Sequence, residues 1–174
     1  MKRSLKIIAV ALWASLIFAL SAQPATVSQQ SSNHFIERGA ELILHRELSS
    51  EEKQNYNDKY SFIVRKSAHF SLYLILGILL FLLMDDLFKE TIDESHPRPK
   101  SLKGPAIAFV TAVLYSLSDE FHQNFVTGRS CELRDILIDS AGATLGIVLM
   151  LALSTHILKA KLRRHYKKGH HYSA

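Results

Sequence analysis

Residues 70–84 read FSLYLILGILLFLLM, a run that contains no charged residue. Extended back to Arg65, a helix that rises about 1.5 Å per residue is long enough to cross the roughly 30 Å hydrocarbon core of a bilayer. Asp85 and Asp86 follow the run directly and end it. The run therefore predicts a transmembrane helix over residues 63–84.

The distribution of charge along the chain decides the class of protein. The chain is 48% hydrophobic and 21% charged, an average that would also suit a soluble domain. Further apolar segments lie at residues 5–22, 105–126 and 136–158, and most charged residues lie between them. We therefore expect an all-α, polytopic protein of the cell membrane, a four-transmembrane-helix bundle in which residues 1–174 form a single domain.

The net charge of +5 is concentrated at the two ends of the chain. Basic residues precede the first segment, and a basic tail, residues 159–174, follows the last one. Lysine and arginine gather on the cytoplasmic side of membrane helices, so both termini are expected in the cytoplasm. Residues 22–64 and 126–134 are then outside and residues 85–104 inside. The expected partners are membrane lipids, and no nucleic-acid partner is expected.

The first apolar segment allows two interpretations. Its apolar core, residues 7–20, is short, and Ser21-Ala22-Gln23-Pro24 offers the small residues at which a signal peptidase cuts. Trp13 and the flanking residues extend the same segment towards the length of a span. We favour a retained transmembrane helix, with a cleaved signal peptide as the alternative.

Residues 25–61 are polar but contain two helical patterns. Apolar residues recur at helical spacing in the first pattern: Ile36, Ala40, Ile43 and Leu44. This spacing predicts an amphipathic helix on the membrane surface. Ser49 and Glu52 form a capping-box pattern that opens a second, polar helix towards the next span. A mostly solvated loop is the alternative.

Prolines and a glycine mark the borders of the last two helices. His96-Pro97-Arg98-Pro99 is incompatible with a helix and predicts a turn. Pro105 suits the first position of the third helix, where a backbone N–H has no helical partner in any case. Thr127-Gly128-Arg129 predicts a tight turn before the fourth helix.

Ionisable residues occur at one end of three of the predicted spans, although each costs about 2.5 to 3.5 kcal/mol at mid-membrane. They are Arg65, Lys66 and His69, then Asp119, Glu120 and His122, then Arg134, Asp135 and Asp139. The helical rise places them all in one shallow layer near the outer face. Asp135, Asp139, Gly142 and Gly146 form one stripe, and its small residues predict close packing of the fourth span along the acidic face.

Opposite charges on three helices allow several interpretations. A structural ion-pair network is one, because buried charges need partners whatever the function. Acid–base catalysis is another, with His69 or His122 beside Asp119 or Glu120 as the titrating pair. These same residues lack the spacing of a recognised zinc helix, so no metal and no other cofactor is expected.

The basic residues of the layer suit an anionic ligand. Arg65, Lys66 and Arg129 would hold a headgroup, since arginine binds phosphate in a bidentate manner. No nucleophile with a partnered base stands out, and Ser67 and Ser118 are ordinary candidates. Cys131 is a third; as the single cysteine it also excludes an intrachain disulfide.

Several motifs resemble those of the VanZ-like family of bacterial membrane proteins. Residues 119–129 (DEFHQNFVTGR), followed by residues 135–142 (DILIDSAG) and Gly146, are similar to the family signature in the third and fourth spans. Residues 65–70 (RKSAHF) and Tyr73 resemble its second-span motif. The exit of the first span is similar as well, which favours retention of that helix.

The resemblance implies a small polytopic protein, typical of Gram-positive bacteria, whose namesake is associated with resistance to the glycopeptide teicoplanin. The positions that it marks as functional are Arg65, Lys66, His69, Tyr73, Asp119, Glu120, His122, Gln123, Arg129, Asp135 and Asp139. Two positions depart from the family pattern: Leu72 stands where many members carry a carboxylate, and Thr127 where proline is usual.

Three hypotheses for the function follow. The leading one is a non-enzymatic envelope protein that binds the anionic headgroup of a lipid or a lipid-linked cell-wall precursor at the outer leaflet, and so alters glycopeptide susceptibility. The second is a membrane-embedded hydrolase or transferase that acts on a lipid-linked substrate. The third is a small transporter or flippase, which would need polar residues that continue to the inner leaflet.

Overall fold

The computed structural model describes residues 2–88 and 102–169, with side chains through residue 157. The described residues form five helices: α1 (Arg3–Ser21), α2 (Ala25–Leu44), α3 (Ser50–Leu87), α4 (Lys103–Gln123) and α5 (Leu133–Gly169). The predicted all-α class is therefore confirmed. The predicted turn at His96-Pro97-Arg98-Pro99 and the last residues of the basic tail lie outside the described residues.

Three helices in the described part of the chain are long and apolar enough to cross a membrane. They are α1, α3 and the Leu133–Ile157 part of α5, which supports a multi-pass membrane protein. α4 is not among them, because Asp119, Glu120 and Gln123 near its end lower its mean hydropathy. α4 begins at Lys103, two residues before the predicted start at Pro105. Pro105 still lies in the first turn, where backbone N–H groups have no helical partner, so its missing N–H costs no hydrogen bond.

α2 and the polar first half of α3 form an antiparallel helical hairpin. Asn33 accepts a 2.8 Å hydrogen bond from Ser61, and Glu37 accepts one of 2.8 Å from Asn57. Because α2 is one continuous helix, the alternative of a solvated loop is wrong. The apolar residues Phe35, Leu42 and Ile43 are largely exposed on α2. Its placement on the membrane surface stays a prediction.

The predicted capping box opens α3 and is confirmed. The Ser49 hydroxyl accepts a 3.3 Å hydrogen bond from the Glu52 N–H, and the Glu52 carboxylate accepts one of 2.9 Å from the Ser49 N–H. These bonds satisfy two backbone donors that the helix itself cannot pair. From this cap α3 continues without a break through the apolar run that ends at Met84.

Glycines set the packing of α3 against α5, which run parallel. A Cβ added to Gly142 would overlap the carbonyl group of Phe70, and one added to Gly146 would overlap that of Leu74. On the α3 side of the contact, a Cβ added to Gly77 would overlap the backbone of Ala143 in α5. The two backbones therefore touch through glycine, as small residues permit in membrane helices.

α1 contributes to the core of the bundle. Ile17 is buried, and the Trp13 indole donates a 2.9 Å hydrogen bond to the carbonyl oxygen of Leu72 in α3. The Tyr115 hydroxyl in α4 donates a 2.6 Å hydrogen bond to the carbonyl oxygen of Ala14. α1 is therefore packed as a structural helix of the bundle.

Candidate functional site

Buried acids gather at the end of the bundle where α1 and α4 end and α5 begins. Within the described residues they are Asp119, Glu120 and Asp139, whose exposed fractions are 2%, 0% and 0%. We call these three residues the acidic cluster. Two belong to α4 and one to α5, so the packing of separate helices produces the cluster.

Asp119 is held by α1 and by its own helix. Its Oδ2 atom accepts a 2.7 Å hydrogen bond from the Ser21 hydroxyl and one of 3.4 Å from Gln123 Nε2. Its Oδ1 atom is buried and has no hydrogen-bond partner among the described residues. One half of this carboxylate is therefore satisfied and the other half is not.

Asp139 repeats this arrangement on α5. Its Oδ2 atom accepts a 3.1 Å hydrogen bond from the Ser116 hydroxyl. Its Oδ1 atom lies 3.7 Å from His69 Nδ1, beyond hydrogen-bond distance, and both atoms lack a partner in the described part of the chain. The Tyr73 hydroxyl lies near Asp119 and Asp139 and is likewise buried without a hydrogen bond of normal geometry.

Glu120 differs from the other two acids because both of its oxygens are bonded. Oε1 accepts a 3.1 Å hydrogen bond from Gln123 Nε2, and Oε2 accepts one of 3.2 Å from the backbone N–H of Glu132. The second bond ties the end of α4 to the segment that opens α5. Glu120 therefore has a structural contact that does not depend on any ligand.

Arg129 lies beside the cluster and interacts electrostatically with Arg65, and we call Arg65 and Arg129 the arginine pair. Arg129 Nε donates a 2.9 Å hydrogen bond to the carbonyl oxygen of Gln23, and Nη1 donates one of 3.1 Å to Gln123 Oε1. Burial, followed by repulsion from Arg65, lowers the pKa of Arg129. Neither arginine is in an ion pair within the described residues.

Lys66 is in a different situation, because it forms an ion pair with Asp135. Its ammonium group contacts both carboxylate oxygens, and the two side chains are only 12% and 13% exposed. This pair joins α3 to the first turn of α5. Lys66 and Asp135 therefore neutralise each other, whereas Arg129 attracts Asp119 and Glu120 without forming an ion pair with either.

The comparison with protein families covers most of the chain. The model of one family, VanZ/LLP1, matches residues 6–154. The chain belongs to the VanZ/LLP1 family. The match extends from α1 into α5 and contains the whole acidic cluster and the arginine pair. No curated protein and no solved structure matches this VanZ/LLP1 chain.

The structure brings together most of the residues expected from the sequence of this VanZ/LLP1 protein. His122 interacts electrostatically with Asp119, and its ring also packs on Phe18 at a centroid distance of 4.4 Å. No group of three His, Cys, Asp or Glu residues has metal-binding geometry in the described part of the chain, so His122, His69 and the acids do not assemble as ligands. Ser67 and Cys131, both named as nucleophile candidates, are exposed, as is Ser118.

Two serines of the site were not expected from the sequence. Ser116 precedes Asp119 by one helical turn, so its spacing was a usable signal for a shared face. Ser21 belongs to another helix, and its bond to Asp119 depends on how α1 packs on α4. No local pattern in the sequence could have revealed that contact.

A polar cavity with a volume of about 280 Å³ lies between α2 and α3, away from the acidic cluster. It is lined by His34, Glu37, Arg38, Glu41, Glu47 and Lys53. Its charges already interact, since Glu41 lies 3.3 Å from Lys53 and 3.9 Å from Arg38. The Leu48 N–H, and then Lys53, lower the pKa of Glu41. We therefore place the candidate site of this VanZ/LLP1 protein at the acidic cluster.

Proposed function

We propose that this VanZ/LLP1 membrane protein binds the anionic headgroup of a lipid or a lipid-linked cell-wall precursor at the outer face of the membrane. The observation that carries the proposal is the arginine pair. Repulsion from Arg65 contributes to the lowered pKa of Arg129, and neither arginine has an ion-pair partner among the described residues. An anion between them would relieve that repulsion.

Phosphate suits this position for chemical reasons. Each guanidinium group can donate two parallel hydrogen bonds to phosphate oxygens, and it keeps its charge even when partly buried. Arg129 uses Nε and Nη1 for protein contacts and has its Nη2 free of such bonds in the described structure. Arg65 makes none of the described hydrogen bonds, so all of its donors are available to a ligand.

The proposed outer position requires that α4 also crosses the membrane. At one end of the bundle, Gly104 packs on the backbone of Met84, close to the 2.6 Å ion pair between Lys6 and Asp86. At the other end, Asp119 bonds to Ser21. α1 and α4 therefore extend over the same depth, which supports four spans. Because basic residues precede α1, we propose cytoplasmic termini, with the acidic cluster on the outer side.

Such binding would connect the site to glycopeptide susceptibility. Glycopeptides act at the outer surface on cell-wall precursors, and a protein that binds headgroups there would change the access of the drug to these precursors. We propose this role for the protein as a consequence of headgroup binding. The proposed effect on susceptibility is tested by comparing teicoplanin susceptibility in a deletion strain complemented with the wild type or with arginine-pair variants.

The direct experiment measures lipid binding by the purified full-length protein in nanodiscs. Wild type is expected to bind phosphatidylglycerol at least about tenfold more tightly than uncharged diacylglycerol, since charge-assisted hydrogen bonds to phosphate are strong. The Arg65→Gln/Arg129→Gln variant should lose this preference. Arg38→Gln, an arginine of the α2–α3 hairpin, should retain it. Equal binding of both lipids by wild type would refute the proposal.

A second candidate function, hydrolysis or group transfer on a lipid-linked substrate, is favoured by one contact. His69 Nδ1 faces Asp139 Oδ1 at 3.7 Å, an arrangement in which the carboxylate could orient an imidazole base. Mass-spectrometric profiles of lipids and wall precursors, with and without expression, would reveal a converted species. An unchanged profile would exclude this activity under the growth conditions used.

The described core gives no support to a transporter or flippase. Below the acidic cluster the bundle is filled by apolar side chains, among them Leu76, Leu80, Ala108, Ala112 and Ile147. A transport path would require polar groups or water at that depth. The apolar core therefore argues against transport by the single chain.

A further inference from the structure

The acidic cluster contains three buried carboxyl groups that form no ion pair with a lysine or an arginine. Within residues 2–88 and 102–157, no lysine or arginine forms an ion pair with Asp119, Glu120 or Asp139. The basic groups near the cluster are the His69 imidazole, 3.7 Å from Asp139, and Arg129, which Asp119 and Glu120 attract without a close ion pair. Buried carboxylates ordinarily have a cationic partner or a full set of hydrogen-bond donors.

Three oxygen atoms, two in the cluster and one on the neighbouring Tyr73, also lack donors. Asp119 Oδ1, Asp139 Oδ1 and the Tyr73 hydroxyl are buried without hydrogen-bond partners among the described residues. Tyr73 and Asp139 have no exposed surface, and Asp119 has 2%. Because buried polar atoms are nearly always bonded, three unbonded oxygens near one another mark a place where donors are missing.

The place where donors are missing lies near the arginine pair. His69 interacts electrostatically with Arg65 and Arg129, and its ring also faces Asp139. The carboxyl groups without an ion pair and the arginines without an ion pair therefore both lie near the His69 imidazole. A ligand that carries a positive and a negative group a short distance apart could bind the acids with one group and the arginines with the other.

We propose that the headgroup bound by this protein carries a protonated primary amine joined to its phosphate by a short linker, as in an ethanolamine phosphate ester. The inference rests on the proposed function and specifies its ligand. The phosphate binds the arginine pair, and the ammonium group binds the acidic cluster. An ammonium group has three N–H donors and no acceptor, which matches the three unbonded oxygens of Tyr73, Asp119 and Asp139.

His69 lies at the more exposed side of the proposed amine site. Its side chain is 15% exposed, whereas that of Asp139 is fully buried. An ammonium group bound at Asp139 would therefore lie beside the imidazole.

The experiment compares three lipids that share a phosphate, of which one carries a charged amine. Full-length protein in nanodiscs is titrated with phosphatidylethanolamine, with phosphatidylglycerol, and with N-acetylated phosphatidylethanolamine, in which the amine is uncharged. We expect about tenfold tighter binding of phosphatidylethanolamine than of the other two, the size of one charge-assisted interaction. Equal or tighter binding of phosphatidylglycerol would overturn the amine assignment.

Variants locate the amine on the protein. Asp139→Asn should abolish the preference for phosphatidylethanolamine, and Tyr73→Phe, which removes only a hydroxyl group, should reduce it. Asp58→Asn, at an exposed acid on the outer part of α3, should keep it. A preference that survives in both Asp139→Asn and Tyr73→Phe would place the amine elsewhere and overturn the proposal. Tyr73→Phe keeps the test valid if Asp139→Asn fails to fold.

The outcomes separate the amine from the phosphate. If both phospholipids bind alike and the arginine-pair variant loses both, headgroup binding stands and the amine inference fails. If neither binds better than diacylglycerol, the proposed function itself fails. Free ethanolamine phosphate should compete weakly, because it lacks acyl chains. Competition as strong as that of the lipid would overturn the assignment to a lipid headgroup.

Discussion

The hydroxyl group of Ser21 donates a 2.7 Å hydrogen bond to the carboxylate of Asp119 and so joins the end of α1 to the acidic cluster. Both residues are only 2% exposed. A second link lies nearby, where Arg129 donates to the carbonyl oxygen of Gln23. The first helix therefore forms part of the wall of the candidate site.

Removal of the Ser21 hydroxyl is expected to destabilise the protein. In Ser21→Ala the buried Asp119 carboxylate keeps only Gln123 as a donor, and an unsatisfied buried group costs about 1–3 kcal/mol. Unfolding in mixed micelles by added SDS measures the change. Ser31→Ala is the control, because the Ser31 hydroxyl is exposed and bonds only within α2. Equal stability of both variants would show that the α1 contact contributes nothing.

The glycine contacts between α3 and α5 predict a large effect from one added methyl group. Gly142→Ala or Gly146→Ala should cost about 1–3 kcal/mol or more, because the new Cβ overlaps backbone that must move. The same unfolding assay measures it. In Gly39→Ala no atom lies within 4 Å of the added Cβ, so that variant should be neutral or up to about 1 kcal/mol more stable. Similar values at all three positions would contradict the close parallel packing.

The ion pair between Lys66 and Asp135 should be structural. Lys66→Met is expected to cost about 1–3 kcal/mol, less than a fully buried pair because the side chains remain 12% and 13% exposed. The exchange Lys66→Asp/Asp135→Lys should recover part of the loss, which a double-mutant cycle would quantify. The exposed pair Arg46–Glu52 serves for comparison and should contribute below about 1 kcal/mol. A coupling energy of zero at Lys66 would contradict this role.

Cys131 makes the natural chain a reporter of its own topology. It is the single cysteine, is exposed, and lies in the segment between α4 and α5 that we propose to be outside. A membrane-impermeant maleimide should therefore label it in intact cells. In Cys131→Ser/Lys2→Cys, labelling should require permeabilisation, because Lys2 precedes α1 on the proposed cytoplasmic side. Protection of Cys131 in intact cells would reverse the orientation.

The helices and the depth of the charged layer were predictable because both follow from local spacing. The apolar runs marked α1, α3 and α5, and the helical rise placed His69, Asp119 and Asp139 at one level. The small residues Gly142 and Gly146 indicated the face of α5 that packs closely. These features depend on the order of residues within one helix.

The pairing of side chains could not be predicted, since it depends on how separate helices rotate against each other. Lys66 was expected to bind a headgroup, yet the packing of α3 on α5 pairs it with Asp135. The contact of the His122 ring with Phe18 of α1 was likewise not expected. The unbonded oxygens of the cluster likewise emerge only when three helices are placed together.

The most direct test of headgroup binding is the distance between the arginine pair and lipid phosphorus, measured by solid-state NMR on protein with labelled arginine side chains in phosphatidylethanolamine bilayers. We predict guanidinium nitrogens of Arg65 and Arg129 within about 5 Å of phosphorus, the separation of a hydrogen-bonded phosphate. Each signal is assigned by its loss in Arg65→Lys or Arg129→Lys. If neither guanidinium lies that close to phosphorus in the folded protein, the arginine pair does not bind a headgroup.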